Sequence, residues 1–207
     1  MRRQLKLLAS ILMFCGIGVV QAYGPFDYSN PDHRKTKLPI VEQYHFNADV
    51  ENLIKGMTGT IWGDLNYTLK TFPNHHRALF AMAKYARRNN MRMPGAPPGT
   101  SAENYFQSAM TFAPNDPTVY LIYGIHLHKL KKLKDAKFYY DKALSLAPDA
   151  EAHYNLGLLY LDLDQLENAK RHAIKAYEMN HPLPGLRNRL KRAGVWGNSK
   201  SSKNSTQ

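Results

Sequence analysis

Apolar residues recur every three to four positions along most of the chain, and short polar or Pro/Gly clusters interrupt them. This spacing places the apolar side chains on one face of a helix, whereas no stretch of useful length alternates as a strand does. The pattern therefore predicts an all-α protein built from short antiparallel helix pairs. The predicted helices cover residues 49–55, 61–71, 75–88, 101–111, 117–131, 134–146, 150–161, 165–178 and 186–193.

Polar residues and prolines mark where these predicted helices begin. Ser, Thr, Asp and Asn side chains accept hydrogen bonds from the free N–H groups of a first helical turn, and proline fits the first helical position. Residues 91–100 are rich in proline and glycine and form a predicted loop. Single caps are expected from Asn47, Asn74, Asp116 and Asp149, and capping boxes from Thr100 with Glu103 and from Asp164 with Glu167.

Large and small residues within these helices repeat with a period of about 34 residues, which is the signature of stacked helix pairs. The small residues let the two helices of a unit approach closely, and the large ones fill the gap to the next unit. Two consecutive units share one pattern, and an earlier unit shares it with an insertion between its helices. The matching positions are Tyr120, Tyr123, Gly124, Leu127, Ala136, Tyr140, Ala143 and Pro148 in one unit, Leu156, Gly157, Tyr160, Ala169, Ala176 and Pro182 in the next, and Met82, Ala83, Ala102, Phe106, Ala109 and Pro114 in the interrupted one.

These units resemble the tetratricopeptide repeat over residues 74–182. The resemblance implies a right-handed solenoid of about three helix pairs, with a degenerate N-terminal half-repeat at residues 61–73 and a C-terminal capping helix at 186–196. The segments YGPFDYSNP, FPNHHRAL, YNLGLLYLDL and LPGLRNRLKRAGVW are together similar to a group of exported proteobacterial repeat proteins of unassigned activity. This narrower resemblance implies a periplasmic location and supplies no mechanism.

The two ends of the chain differ in composition from the repeats. Three cations followed by an apolar run at residues 7–20 and by Ala22 predict a signal peptide over residues 1–22, with an uncleaved inner-membrane anchor as the alternative. Cleavage would leave a periplasmic or secreted protein. Residues 23–46 hold three prolines and are interpreted as an extended arm, or alternatively as a frayed terminus. Residues 47–196 form the predicted helical repeat domain, and residues 197–207 a disordered polar tail.

Charge and cysteine content narrow the choice of partner. The 207 residues carry a formal net charge of +12, and removing the three leader cations leaves +9, which favours anionic partners. The single cysteine, Cys15, lies in the leader, so the mature chain needs no disulfide. An exported protein seldom meets nucleic acid, and no aromatic-interleaved nucleic-acid motif accompanies the lysines. We therefore expect an acidic protein or peptide partner and no nucleic acid. The sequence does not determine the oligomeric state.

The candidate chemistry does not indicate an enzyme. His126 and His128 are two apart within a helix and point away from each other, and His75-His76 has no thiol or carboxylate beside it in sequence. The nine histidines are therefore interpreted as surface or interface residues, with no metal and no cofactor. The chain has no serine elbow, no mature cysteine nucleophile and no glycine-rich phosphate loop.

The function is expected to lie in a groove. In stacked helix pairs the first helix of each unit lines the concave face, so its outward side chains are the candidate partner-binding residues. This placement predicts a groove that is basic at one end and apolar at the other, in a non-enzymatic periplasmic scaffold or adaptor. The candidates are Arg77, Phe80, Lys84, Arg87, Arg88, Leu121, Ile125, His128, Lys129, Tyr154, Leu158 and Leu161.

Two alternatives remain open at this point. A membrane-peripheral envelope factor would use the basic residues of 129–137 and 187–192, the latter on the outer face of the last helix, for weak contact with anionic lipid. An accessory subunit of an envelope enzyme or transporter would share the groove but act only within a complex.

Overall fold

The structure, a computed structural model, describes residues 24–197 and is helical with no strand in that range. The predicted signal peptide and residues 198–207 of the predicted tail lie outside the described residues. The all-α prediction is confirmed. The described helices are α1 Pro31–Thr36, α2 Leu38–His45, α3 Ala48–Glu51, α4 Ile61–Thr71, α5 His76–Arg88, α6 Ala102–Phe112, α7 Pro117–Lys129, α8 Leu133–Leu146, α9 Ala150–Asp162, α10 Leu166–Glu178 and α11 Gly185–Arg192.

The helices stack in the order in which they occur along the chain. The pairs α5–α6, α7–α8 and α9–α10 pack within themselves and against the next pair, α4 packs on α5, and α11 closes the end on α9 and α10. One continuous apolar core runs from Phe46 to Leu190 through all three pairs. This is the predicted series of three pairs, with a half-repeat before it and a capping helix after it.

The small residues of the repeat pattern lie at close helix approaches. A Cβ atom on Gly124 would come within 2.7 Å of the Tyr140 ring, so glycine lets α7 and α8 of one unit meet. A Cβ on Gly157 would come within 2.5 Å of Leu186 Cδ2 and 3.3 Å of the Ala169 carbonyl oxygen. Gly157 therefore accommodates the capping helix more than it accommodates α10.

Half of the expected caps act as predicted. Asp116 accepts a hydrogen bond from the Thr118 N–H at 3.1 Å, and Pro117 occupies the first turn of α7. Asp149 accepts from the Ala152 N–H at 2.6 Å and begins α9. Asn47 caps α3 as expected, although that helix ends at Glu51 and not at residue 55.

The remaining cap predictions are wrong because each helix begins one residue later than expected. His75 caps α5 through a bond from the Ala78 N–H, which leaves Asn74 for tertiary contacts. Ser101 with Asn104 forms the capping box of α6. Asp164 has a φ of 56° in the turn before α10, and that helix has no side-chain cap.

The predicted extended arm over residues 23–46 is wrong, because this segment forms two helices. The prolines that suggested extended backbone occupy first turns, where proline costs no hydrogen bond. Asn30 caps α1 directly before Pro31, and Pro39 lies in the first turn of α2. Only residues 24–30 are irregular, and they are held by a bond from the Phe26 N–H to the Thr71 carbonyl oxygen at 2.7 Å.

Within residues 24–197, none of the helices is long and apolar enough to cross a membrane.

Candidate functional site

The first helices of the three pairs, α5, α7 and α9, line two recesses on the concave face. The N-terminal recess lies between α3, α5 and α7 and encloses about 380 Å³. The C-terminal recess lies between α7, α9 and α11 and encloses about 140 Å³. The N-terminal recess is lined by Glu51, Asn52, His76, Arg77, Phe80, Ala81, Lys84 and Ile122, and the C-terminal recess by Ile125, His128, Lys129, Lys131, Tyr140, Asn155, Leu158, Asp162 and Arg189.

The N-terminal recess presents an aromatic ring to solvent. Phe80 lies one helical turn from both Arg77 and Lys84 on α5, so the three side chains share one helix face. The Phe80 side chain is 41% exposed, although the rest of this face packs against α3 and α7. Ile122 of α7 forms the opposite wall. An exposed ring over an apolar wall can bind a side chain of a partner.

Arg77 is occupied by carboxylates of its own chain. Its Nε donates to Glu51 Oε1 at 2.8 Å, one terminal nitrogen donates to Glu42 Oε1 at 3.1 Å, and the other contacts Glu51 Oε2. The hydrogen bonds from Arg77 lower the pKa of the Glu51 carboxyl. Arg77 therefore joins α2 and α3 to α5, and its charge is balanced within the fold.

The other two arginines of α5 are also engaged. A terminal nitrogen of Arg87 donates to His126 Nδ1 at 3.0 Å, beneath α6 and α7. Arg88 donates to the Leu53 carbonyl oxygen at 2.8 Å. The end of the groove that was predicted to be basic thus uses three of its cations for contacts within the chain, and only Lys84 adds charge to the recess wall.

The C-terminal recess is organised around one carboxylate. Asp162 Oδ1 accepts from Arg189 at 2.9 Å, and Oδ2 accepts from Lys131 at 3.1 Å and from His128 Nε2 at 3.3 Å. Burial alone would raise the pKa of Asp162, but the bonds from Arg189, Lys131 and His128 outweigh it and lower that pKa to about 2. Asp162 therefore holds its three donors in fixed positions.

Positive charge is in excess at this recess. Lys129, Lys131 and Arg189 face a single carboxylate among the lining residues, while burial lowers the pKa of His128. Ile125 and Leu158 supply apolar wall beside these cations. The predicted charge distribution is therefore wrong: the cationic end is the C-terminal recess, which the sequence pattern had suggested would be apolar.

The predicted site residues divide into lining and buried positions. Leu121 and Tyr154 are buried, and Tyr154 stacks on His181 with ring centroids 4.0 Å apart beneath the start of α11. Leu161 packs against the core. These three and Arg87 and Arg88 do not line either recess. The predicted residues that do line the recesses are Arg77, Phe80, Lys84, Ile125, His128, Lys129 and Leu158.

Several lining residues were missed from the sequence. Lys131 follows α7 with a φ of 61°, a left-handed turn that returns its side chain to Asp162. Arg189 was placed on the outer face of the last helix, which is wrong because it reaches Asp162 across the groove. Arg187 stacks instead on the Tyr177 ring at 4.1 Å. A turn conformation and the angle of a capping helix are tertiary features, so no sequence spacing reveals these contacts.

Histidines connect neighbouring elements as the interface interpretation expects. Six of them lie within 2.8 to 3.6 Å of a carboxylate from an adjoining segment. No cluster of three or more metal-ligating side chains occurs among residues 24–197. The pairs are His45–Asp64, His75–Glu42, His76–Asp116, His126–Glu103, His128–Asp162 and His181–Glu151.

One family model and two solved structures are similar to this chain. The family model described as tetratricopeptide repeat matches residues 117–149 and 150–180, which contain the pairs α7–α8 and α9–α10. The structure of PilF from Pseudomonas aeruginosa is similar, with a TM-score of 0.55, 18% identity, and coverage of 79% of this chain and 69% of that one. A structure of MamA from Desulfovibrio magneticus RS-1, residues 41 to the end, is 21% identical with a TM-score of 0.45, over 58% of this chain and 64% of that one.

A curated relative is much longer than this chain. Human protein O-mannosyl-transferase TMTC3 is 28% identical over 116 residues, which cover 55% of this chain and 12% of that protein. The chain therefore matches only a small part of that relative.

The stacked helix pairs and their lined groove define a helical-repeat protein of the solenoid class. Its pairs α7–α8 and α9–α10 match the tetratricopeptide-repeat model, at residues 117–149 and 150–180. Proteins built from such repeats generally mediate protein–protein interaction and scaffolding, and the fold is typically non-catalytic.

Proposed function

We propose that this chain is an exported, non-enzymatic adaptor that binds an acidic segment of a protein partner along its concave groove. The observation that carries the proposal is the C-terminal recess, where Lys129, Lys131 and Arg189 surround one carboxylate beside the apolar Ile125 and Leu158. A partner segment with carboxylates and apolar side chains complements both kinds of wall.

The two recesses divide the binding energy between them. An exposed ion pair contributes only about 0.2–1 kcal/mol, so the cations provide selectivity and steering more than affinity. Apolar burial on Phe80 and Ile122 in the N-terminal recess supplies the larger contribution, at roughly 25 cal/mol per Å² of apolar surface. An extended peptide that crosses α7 would contact both recesses.

The proposed location rests on the leader. The apolar run at residues 7–20 is short for a membrane span, and Ala22 suits signal-peptidase cleavage. We expect the native protein to begin at Tyr23 and to fractionate with the periplasm, which intact-mass measurement of the protein purified from its source will show. A chain that keeps residues 1–22 and sediments with membranes would contradict this expectation.

The lipid-binding alternative that uses the basic runs receives less support. Lys137 pairs with Asp141 at 2.6 Å, and the Arg187 guanidinium stacks on the Tyr177 ring. These two cations, one from each basic run, are therefore engaged within the chain outside the groove.

Photo-crosslinking tests the groove proposal directly. A photoreactive phenylalanine analogue replaces Phe80 in the groove or, as the matched control, Phe138, which is 63% exposed on α8. Irradiation of intact cells should give a discrete heavier adduct from position 80 and none from position 138. An adduct from position 138 alone, or no adduct from either position with both proteins folded, would exclude the groove as the binding surface.

A further inference from the structure

The N-terminal end of the solenoid carries an apolar surface that the groove proposal does not use. We call it the N-terminal face, and its centre is formed by Ile40 and Tyr44 of α2 and Tyr67 of α4, which are 59%, 53% and 47% exposed. These side chains line a shallow recess of about 370 Å³ between the two helices. The His45 ring stacks on Tyr67 at 3.8 Å and holds that ring at the surface.

This face is unusual for the end of a repeat array. A terminal helix normally turns a polar surface outward because it has no further neighbour to cover it. The inner side of α2 already buries Leu38 and Val41 against Phe72. Its outer side then shows Ile40 and Tyr44 to solvent, so α2 is apolar on two sides and only one of them is covered.

The recess of the N-terminal face is lined by basic and apolar side chains. No acidic residue lines its recess, and Lys37 lies on the rim with its Nζ atom 5.8 Å from the Phe26 ring centre. Between residues 33 and 45 the only carboxylate is Glu42, which points to the groove side and binds His75 and Arg77. Exposed tyrosine and isoleucine beside a lysine suit the boundary of an anionic bilayer.

The first described residues of the chain lie beside the N-terminal face. Phe26 lines the recess, and its N–H bonds to the Thr71 carbonyl oxygen, so the described chain begins at the edge of α4.

We propose that the N-terminal face contacts the surface of an anionic membrane, with Ile40, Tyr44 and Tyr67 at the level of the lipid headgroups. Lysine and arginine beside the face, including Arg34 and Lys37, contact lipid phosphates. A second copy of this chain is the less favourable occupant, because a two-fold contact through this face would place like charges opposite each other. The groove lies on another side of the solenoid and stays accessible.

Site-specific fluorescence tests this surface on the proposed mature chain, residues 23–207, which holds no cysteine. Gln43→Cys on the exposed side of α2 then carries a polarity-sensitive dye. Ser145→Cys on α8 is the control position. With vesicles of phosphatidylethanolamine and phosphatidylglycerol, the emission of the dye at position 43 should shift to the blue, while the dye at position 145 should not respond. Vesicles of phosphatidylcholine should give no shift at either position.

Variants of the face test its contribution to membrane binding. Ile40→Asp with Tyr44→Asp should lower the vesicle-bound fraction at least about tenfold, because the inserted apolar side chains are lost. Phe138→Asp should leave it within about twofold, and circular dichroism checks that each variant is folded. Equal shifts at positions 43 and 145, or unchanged binding by the double variant, would overturn the proposal. A shift at position 43 that grows with protein concentration without vesicles would do so as well, and would assign the face to a second copy.

Discussion

At the scale of single residues, histidine side chains connect neighbouring helices through polar contacts, as arginine and lysine side chains often do. His75 is fully buried, accepts from the Ala78 N–H and donates to Glu42 at 3.1 Å, so one ring both caps α5 and joins it to α2. His126 accepts from Arg87, and its Nε2 lies 3.6 Å from Glu103 Oε1, too long for a normal hydrogen bond. The side-chain contact with His126, helped by bonds at the Glu103 backbone and Ser101, still outweighs burial and lowers the pKa of the Glu103 carboxyl to about 2.

The pair His153–His172 predicts pH-dependent stability. Their Nδ1 atoms are 3.0 Å apart, and burial followed by the charge of His153 lowers the pKa of His172 to about 4. In the unfolded chain His172 has its ordinary pKa near 6.5, so above that pH it is neutral in both states and the full unfolding free energy is present. As the pH falls from 6.5 toward 4, the unfolded chain binds a proton that the fold does not, and the unfolding free energy decreases. His172→Gln should reduce the loss of unfolding free energy between pH 7 and 5 by about 1 kcal/mol, allowing for partial exposure.

Urea titrations of both proteins at a series of pH values measure this difference. Burial also lowers the pKa of His75 and His128, so the variant should keep part of the pH dependence. Identical pH profiles for the two proteins would show that the His153–His172 contact does not keep His172 neutral in the fold.

The two repeat glycines predict unequal costs. At Gly124 a Cβ atom would meet the Tyr140 ring, which is fully buried and cannot withdraw, whereas at Gly157 it would mainly meet the end of the Leu186 side chain. Alanine gains about 1 kcal/mol of helix propensity, and overpacking costs about 1–3 kcal/mol. Gly124→Ala should therefore lower the unfolding free energy by about 1 kcal/mol or more relative to Gly157→Ala in urea titrations. Equal stabilities would contradict the close α7–α8 approach.

At the scale of elements, the N-terminal segment is part of the folded array. Asn74 connects it to the repeats, because its side chain accepts from the Tyr28 N–H at 2.8 Å and donates to Asp27 at 2.8 Å and to Asp116 at 3.0 Å. Tyr28 covers His75 with ring centroids 4.4 Å apart. The segment thus covers the first repeat in place of a further helix pair.

Removing this connection should increase the local opening of α1 and α2 more than that of the other helices. Asn74→Ala leaves buried hydrogen-bonding groups of Asp27 and Asp116 without their amide partner, which should cost about 1–3 kcal/mol. Hydrogen exchange should accelerate at the amides of residues 26–45 more than in α9 and α10. Asn168→Ala is the matched control, since Asn168 bonds only to Gln165 at an exposed site. Uniform acceleration along the chain would mean that the segment does not open separately.

The helices and the repeat order could be predicted from the sequence because they depend on periodicity and small-residue spacing. α4 has the predicted bounds, and α7 begins at the predicted Asp116-Pro117 cap. The N-terminal helices could not be predicted, since Pro31 and Pro39 are equally compatible with extended backbone and with a first helical turn. The distribution of groove charge was also missed, because the pairing of Arg77 with Glu42 and Glu51 joins residues 26 to 35 positions apart.

At the scale of the whole molecule, the groove and the N-terminal face are separate surfaces. The groove combines an exposed aromatic ring at one end with excess positive charge at the other, while the N-terminal face is apolar with a basic rim. A protein with both could hold a partner segment close to a membrane. The net charge of +12, or +9 without the three leader cations, favours anionic species at both surfaces.

The central claim is that the groove binds an acidic partner, and the yield of the photo-adduct at position 80 measures it most directly. Lys84→Glu with Lys129→Glu reverses one charge in each recess, and Lys132→Glu with Lys134→Glu makes the same charge change on exposed lysines outside them. The account predicts that the groove variant loses at least about tenfold of the adduct while the control stays within about twofold. An adduct that survives the groove reversal, or that falls equally in the control, would contradict it.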